Sequence, residues 1–433
     1  MGSRPQEGSG PHEGSAPQEG NRVEGKWKTD QWFSSPWNYL PEITGSFNLA
    51  PEIKVHDVTL RDGEQQAGVE LRADEKVRIA EALAEAGIHR IEAGLPAVSP
   101  ADEEAVRRIA AAGFDSEIYA FSRCMVSDVE LAIDCGVAGV VMEIPSSHHL
   151  IEKAYRWPIE RALEASIETT KLAHEAGLKV SFFPIDATRA GMVELLSDLE
   201  TVAREGHVDT VGLVDTFGVT SPHAIAYFAR EVGRRLAVPL ETHFHMDFGM
   251  GVANTALAVA EGASVIQTTV SGLGERAGNA PMEETVLALL TMYGIDMGIK
   301  TERFTPIARL VAELTGVTQP SNRPVTGERL FNVESGIIAT WVKNVGDADL
   351  TEAFPYRPGL VGQPDPEIVL GKGSGLDSVA IWLSRNGVED ANLKEIEEIL
   401  REVKVRSLEK KGLLTNEEFL EIAEQTLPDI GKQ

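Results

Sequence analysis

Two histidines two residues apart, His243 and His245, are the feature of this sequence with the clearest chemical potential. They lie in a run that is typical of a β-strand, where residues i and i+2 face the same side of the sheet. Two imidazoles side by side leave ring nitrogens that need partners, and a divalent cation is one such partner. The alternative is a pair of core histidines that are satisfied by hydrogen bonds.

A carboxylate at the end of another predicted strand, Asp62, favours the metal. If its strand neighbours that of the histidines, the three side chains form a site with open positions, as a catalytic metal requires. Arg61 precedes Asp62, and it either orients this aspartate or acts as a fixed cation beside an oxygen that becomes negative. Glu92 ends the next predicted strand and is placed to hold Arg61.

Eight short apolar runs position these residues and alternate with amphipathic stretches. The predicted strands are residues 53–59, 90–93, 118–121, 137–144, 179–184, 210–214, 240–245 and 265–270. The clearest predicted helix is 74–86, and a glycine that can end it follows at Gly87. Regular alternation predicts parallel strands, and eight units fit a closed (β/α)8 TIM barrel better than an open doubly wound sheet. In such a barrel the first, seventh and eighth strands are contiguous.

Four segments differ in composition along the 433 residues. We expect a disordered tail over 1–26, because its Pro/Gly/Glu-rich repeats can bury nothing. An aromatic arm over 27–50 packs on its own subunit or, as the less favoured alternative, crosses to a partner. The TIM-barrel catalytic domain is expected over 51–300, and a smaller α-rich C-terminal subdomain over 301–433. Its last helix is predicted to open on a capping box at 415–418.

Composition excludes several classes of function. The net charge of −27 argues against nucleic-acid binding and against attachment to anionic membranes. No apolar run approaches the roughly 18 residues of a membrane span. There is no signal-peptide pattern, and two cysteines make no disulfide framework, so we expect a cytoplasmic protein.

Three ordered motifs resemble the DRE-TIM metallolyase superfamily. They are Arg-Asp-Gly-Glu-Gln at 61–65, His-x-His-x-Asp at 243–247, and Gly-x-Gly-Glu-Arg-x-Gly-Asn at 272–279. The last form is similar to the Claisen-condensing branch, which includes isopropylmalate, homocitrate, citramalate and Re-citrate synthases. A fourth match, at 368–375, extends the resemblance over roughly residues 52–385.

The resemblance implies a barrel with a C-terminal subdomain and one divalent metal ion. We expect this ion to be Zn, Mn, Mg, Fe or Co, and we expect a homodimer. It implies addition of the acyl group of an acyl-CoA, in the first place acetyl-CoA, to a 2-oxo acid. By the same resemblance Arg61 is catalytic and polarises the keto oxygen. We also predict a catalytic role for Glu92, as the carboxylate that holds Arg61. The implied metal ligands are Asp62, His243 and His245, with Asn279 close by, and the implied substrate contacts are Arg61 and Thr216. We further predict that Gln65, Glu275 and Asn279 contact the substrate.

This reaction also fits the residues chemically. A 2-oxo acid presents a keto oxygen and a carboxylate oxygen in one plane, which makes it a natural bidentate ligand. Chelation makes the keto carbon electrophilic, and the metal together with Arg61 stabilises the alkoxide that forms on attack.

Two departures mark an atypical member. The family pattern Glu-Asp-Ala-x-Arg reads Ile-Asp-Ala-Thr-Arg at 185–189, and His-x-Ser-Gly-Ile-His reads Val-Glu-Ser-Gly-Ile-Ile at 333–338. The second lost histidine is tied, in the family, to acid–base chemistry at the acetyl group. Glu334, inside the altered motif, is our predicted catalytic base. The other candidates are Glu143, Asp186, His148 and His149.

Two other functions remain open from sequence. One is a lyase of the same superfamily that cleaves a 3-hydroxy acid or acyl-CoA by retro-aldol chemistry, which the missing histidine mildly favours. The other is a non-catalytic protein that keeps a metal fold. The intact Arg61 argues against it, because a purely structural metal needs no such cation.

Overall fold

A closed barrel of eight parallel strands forms the body of the protein. The computed structural model describes residues 26–428, so the predicted tail, apart from its last residue, lies outside the described residues. Each strand pairs with the next along the chain and β8 closes on β1, which confirms the predicted TIM barrel. The strands are β1 Lys54–Asp57, β2 Arg90–Glu92, β3 Glu117–Arg123, β4 Gly139–Pro145, β5 Lys179–Ile185, β6 Thr210–Asp215, β7 Leu240–Phe244 and β8 Val265–Thr268.

A helix follows each strand and covers the outside of the barrel. These helices are Ala73–Glu85, Pro100–Ala110, Val126–Cys135, Ile159–Glu175, Met192–Glu205, Pro222–Arg235, Gly251–Ala260 and Met282–Met292. The predicted helix 74–86 is thus shifted by one residue, and Gly87 after it takes the left-handed conformation at φ +86°. Within residues 26–428, no helix is long and apolar enough to cross a membrane.

Strand register decides which residues face the inside of the barrel. On β7 the residues Glu241 and His243 face inward, whereas Thr242 between them faces the surrounding helices. The two strands that flank β7 are β6, where Val214 lies opposite His243, and β8. Because β8 also pairs with β1, the ends of β1, β7 and β8 meet at one side of the barrel mouth, as expected.

The C-terminal region has a hydrophobic core of its own, built around Val403 and Phe419. It contains the helices Gly336–Val345, Leu376–Arg385, Leu393–Lys410 and Asn416–Thr426, and a small sheet of Asn332–Val333 with Glu367–Ile368. The predicted capping box is present, since Thr415 Oγ1 accepts from Glu418 N and Glu418 Oε2 accepts from Thr415 N.

The barrel core extends beyond residue 300. The helix Phe304–Thr315 buries Phe304, Ile307 and Val311 in the same cluster as the barrel residues, and Val361 joins that cluster. A chain that ended at residue 300 would therefore leave part of the barrel core exposed to water.

The aromatic arm contacts its own chain. Phe33 N donates to Pro355 O at 2.9 Å, and the Tyr39 hydroxyl donates to Thr291 O at 2.8 Å. Trp37 is 76% exposed, so part of the arm makes little contact within the described chain.

Candidate metal centre

Three predicted ligands, Asp62, His243 and His245, converge at the barrel mouth. Asp62 lies in the loop after β1, His243 lies on β7, and His245 follows β7 directly. Asp62 Oδ2 is 3.3 Å from His243 Nε2 and 3.8 Å from His245 Nε2. The two Nε2 atoms are 3.2 Å apart. All three side chains are at least 95% buried.

These separations suit three ligands of one cation. Metal–ligand bonds of about 2.0–2.2 Å place neighbouring ligand atoms about 2.8–3.6 Å apart in octahedral or tetrahedral geometry. Two of the three separations lie in this range, and the third, between Asp62 Oδ2 and His245 Nε2, is slightly longer at 3.8 Å. The alternative, a pair of histidines satisfied by hydrogen bonds, fits less well. His245 Nδ1 is buried without a hydrogen-bond partner among the described residues, and the two Nε2 atoms face each other. The donor set therefore fits a divalent ion.

A buried chain of hydrogen bonds fixes the tautomer of His243. Gln267 on β8 donates from Nε2 to Glu241 Oε2 at 2.9 Å, which leaves its Oε1 to accept from His243 Nδ1 at 2.9 Å. His243 thus carries its proton on Nδ1 and presents the lone pair of Nε2 to the centre. Burial opposes ionisation of Glu241, but His56 and Arg90 outweigh it and lower the pKa of Glu241 to about 2.

Gln267 and Glu241 were not among the residues predicted from sequence. The one available signal was spacing, because Glu241 lies two residues before His243 and so faces the same side of β7. The partnership with Gln267 depends on the register between β7 and β8, which the sequence does not specify.

Arg61 is held in place and keeps one free donor. Its Nε donates to Glu92 Oε1, as predicted, and its Nη1 donates to Asp62 Oδ2 at 3.0 Å. The guanidinium also lies over the ring of Phe121, 4.1 Å from the centroid. Arg61 Nη2 is buried without a partner among the described residues, so this donor is available to a ligand.

The loop after β8 brings Asn279 to the same place. Asn279 Nδ2 donates to Asp62 Oδ1 at 2.9 Å and to Leu273 O at 3.2 Å, and its buried Oδ1 has no partner among the described residues. Gly274 permits this approach, since a Cβ there would collide with the Asn279 amide and lie 2.9 Å from Asp62 Oδ1. Its φ of +151° also disfavours other residues.

The remaining predicted substrate contacts differ in their surroundings and exposure. Thr216 follows β6, and its Oγ1 accepts from Asp186 N at 2.8 Å. Gln65 is exposed on the wall of a cavity of 460 Å³ that Arg61 also lines. Glu275 sends its side chain outward, 60% exposed, and only its backbone N–H approaches Asp62 Oδ1, at 3.5 Å.

Glu334 lies within the C-terminal region. Its Oε1 accepts from Gly373 N at 2.8 Å, and it borders a cavity lined by residues of that region, among them Lys372 and Lys411. The structure does not bring Glu334 together with the three candidate ligands in the described chain.

Charge at the centre favours the protonation states that a metal needs. Burial opposes ionisation of Asp62, but Arg61 and both histidines outweigh it and hold the pKa of Asp62 well below its usual range. Burial, together with His243 and nearby arginines, lowers the pKa of His245 to about 4 despite the attraction of Asp62. At neutral pH the centre therefore offers a carboxylate and a neutral imidazole.

Comparison with known proteins assigns the family. The model of the HMGL-like family matches residues 52–311. Homocitrate synthase AksA of Methanopyrus kandleri is 38% identical over 393 residues, covering 91% of this chain and 97% of the relative. The 2-isopropylmalate synthase of Methanocaldococcus jannaschii is 34% identical over 394 residues, covering 90% of this chain and 74% of the relative.

Solved structures share the barrel. The HMG-CoA lyase of Bacillus subtilis superposes with a TM-score of 0.57 at 21% identity, covering 63% of this chain and 97% of the lyase. At this level of identity the likeness shows the fold alone.

Proposed function

We propose, from the premise that this chain belongs to the HMGL-like family, that it is a metal-dependent acyltransferase. It joins an acyl-CoA, in the first place acetyl-CoA, to a 2-oxo acid and releases a 2-hydroxy-2-alkyl dicarboxylate or related acid and CoA. Relatives at 34–38% identity over most of the chain carry the names of synthases, which favours condensation over retro-aldol cleavage. The observation that carries the proposal is the free Nη2 of Arg61 beside the cluster of Asp62, His243 and His245.

Asp62, His243 and His245 would hold one divalent ion, with Asn279 Oδ1 beside it. Two imidazoles favour zinc, manganese, iron or cobalt, and a carboxylate with an amide oxygen also suits magnesium. When bound, the ion supplies Lewis acidity that makes the keto carbon of a chelating 2-oxo acid more electrophilic.

The chain's own residues orient and stabilise the acceptor. Arg61 is fixed by Glu92, Asp62 and the Phe121 ring, so its free Nη2 can donate to the keto oxygen as that oxygen gains negative charge. The Thr216 hydroxyl, whose oxygen already accepts a backbone N–H, keeps its proton to donate to the substrate carboxylate.

The test is release of free thiol from acetyl-CoA in the presence of a panel of 2-oxo acids. We expect thiol release to require both a 2-oxo acid and a divalent ion. It should stop when a chelator removes the ion and return when the metal is added back. The matched control replaces each 2-oxo acid with its 2-hydroxy acid, which keeps the oxygen pair but has no electrophilic carbon.

Two results would contradict the proposal. One is the absence of thiol release with every 2-oxo acid in the metal-loaded protein. The other is metal-dependent cleavage of a 3-hydroxy acid or its CoA ester in a protein that shows no condensation, which would establish the lyase instead.

A further inference from the structure

Glu143 is an ionisable residue on the side of the barrel mouth away from the candidate ligands. It lies near the end of β4, opposite Phe183 of β5 in the strand register. The edge of the Phe183 ring contacts the His243 imidazole, with 4.7 Å between ring centroids, so Phe183 faces the barrel interior. Glu143 faces the same way, because paired residues of adjacent strands share a face.

The carboxylate of Glu143 is not committed to the protein. It is half-buried, yet in residues 26–428 it accepts no hydrogen bond and forms no ion pair. The charged and titratable groups close enough to interact electrostatically with it are Arg61 and Asp62 after β1, Glu92 on β2, Arg123 on β3, Cys124 directly after β3 and Tyr155 after β4.

Burial is the main influence on this group. It raises the pKa of Glu143 to about 7, with Asp62 and Glu92 adding to the effect and Arg61 and Arg123 opposing it. A carboxyl group that titrates near neutral pH can both take and release a proton under ordinary conditions.

The other candidate bases are engaged elsewhere. Asp186 is fully buried and accepts hydrogen bonds from Ser147 at 2.6 Å and from Arg189 at 2.6 and 3.0 Å. His149 Nε2 lies 3.2 Å from the same carboxylate, and His148 Nε2 lies 3.2 Å from Asp198. Glu334, as described above, accepts from the backbone of its own region.

We propose that Glu143 is the general base that removes the proton from the acyl-CoA carbon next to the thioester. This inference rests on the proposed condensation. The C–H bond breaks and its proton passes to a Glu143 carboxylate oxygen. The electron pair forms the new C–C bond to the keto carbon, and the keto π pair moves onto oxygen, where Arg61 Nη2 donates. Water then cleaves the thioester, as the condensation already requires.

Glu143→Gln tests the assignment, because it keeps size and polarity but cannot accept the proton. We expect kcat for thiol release to fall about 10²–10⁴-fold, as for loss of a positioned general base. Metal content and the KM for the 2-oxo acid should stay near wild type. Wild-type activity should rise with pH as the carboxyl loses its proton, and this low-pH limb should be absent in Glu143→Gln. Glu143→Asp should retain part of the rate.

Glu130→Gln is the matched control, since Glu130 is exposed on the helix Val126–Cys135. Unchanged kcat in Glu143→Gln would overturn the inference, and so would a raised KM for the 2-oxo acid with unchanged kcat, which would make Glu143 a specificity residue. If Glu334→Gln lost rate and Glu143→Gln did not, the general base would lie in the C-terminal region instead. A wild-type protein inactive with every 2-oxo acid would instead refute the proposed function itself.

Discussion

The two sides of the barrel mouth differ in how their charged groups are held. Around β1, β7 and β8, Asp62, Arg61 and His243 hold one another or have buried partners such as Glu92 and Gln267. Around β4 and β5, the inward-facing Glu143 has no such partner among the described residues.

The proposed roles of the two sides account for this difference. A group that binds a metal or stabilises charge works best when its position is fixed before the substrate arrives, because reorganisation then adds nothing to the barrier. A proton acceptor must change its charge during the reaction, and a strong ion pair would hold it in one state. The side around β1, β7 and β8, called here the fixed side, thus suits the acceptor substrate. The side around β4 and β5, called the uncommitted side, suits the acyl donor.

Removing two of the three candidate ligands should abolish metal binding. In the double variant His243→Ala, His245→Ala we expect metal content at background level and no measurable thiol release, because one carboxylate alone does not retain the ion. Metal analysis of the purified protein is the measurement.

The matched control is His174→Ala, His207→Ala. These two histidines stack on each other at the opposite end of the barrel, with 3.5 Å between ring centroids. Their removal should leave metal content unchanged. Full metal content in the first double variant would refute the assignment of His243 and His245 as ligands.

Arg61→Lys should have the next largest effect. Lysine keeps the positive charge but lacks the planar fork that contacts Glu92, Asp62 and a substrate oxygen at once. We expect kcat to fall on the order of 10²–10³-fold, as for loss of one donor to a developing oxyanion. Metal content should be retained. Near-normal turnover would assign Arg61 to structure alone.

How far the sequence predicted the site depends on the range of the contacts. The alternation of strands and helices identified the barrel, and period-two spacing placed His243 and His245 on one face. The motif order then brought Asp62 and Arg61 to the same edge. The free donor on Arg61 and the link from Gln267 to His243 depend on distances between strands, which local patterns do not encode.

The proposed base was harder to predict from sequence for the same reason. Glu334 was favoured because it lies inside an altered motif, and Glu143 was one of several alternatives. Side-chain hydrogen bonding distinguishes them, since the Glu334 carboxylate accepts from Gly373 N whereas the Glu143 carboxylate accepts from no described residue. Such partnerships join residues far apart in the chain and become visible only in the folded protein.

Gln267→Met tests whether the hydrogen bond behind His243 contributes to metal binding. Methionine has a similar volume, but its thioether is only a weak acceptor for His243 Nδ1 and cannot donate to Glu241. We expect metal affinity to fall about 10–100-fold, as for loss of a hydrogen-bond partner behind a ligand. Competition with a chelator of known affinity measures it. The control is Thr242→Val, which removes a buried hydroxyl without a described partner on the other face of β7. Equal affinity in the two variants would contradict the tautomer role.

The smallest expected effect comes from moving the carboxylate between neighbouring strands. The family pattern has glutamate at position 185, where this chain has Ile185. Ile185 ends β5 and pairs with Pro145 of β4. This pair is the next inward-facing one along the two strands after Glu143 and Phe183. In the double variant Glu143→Gln, Ile185→Glu, a carboxylate returns to the uncommitted side, two residues along the neighbouring strand. We expect kcat to recover about tenfold over Glu143→Gln, because a base in less favourable geometry still contributes part of the usual effect. The matched comparison is Glu143→Gln, Ile185→Gln, which adds a polar group without a proton acceptor and should recover nothing. Equal recovery in both double variants would mean that polarity, not proton transfer, limits the reaction at this side of the barrel mouth.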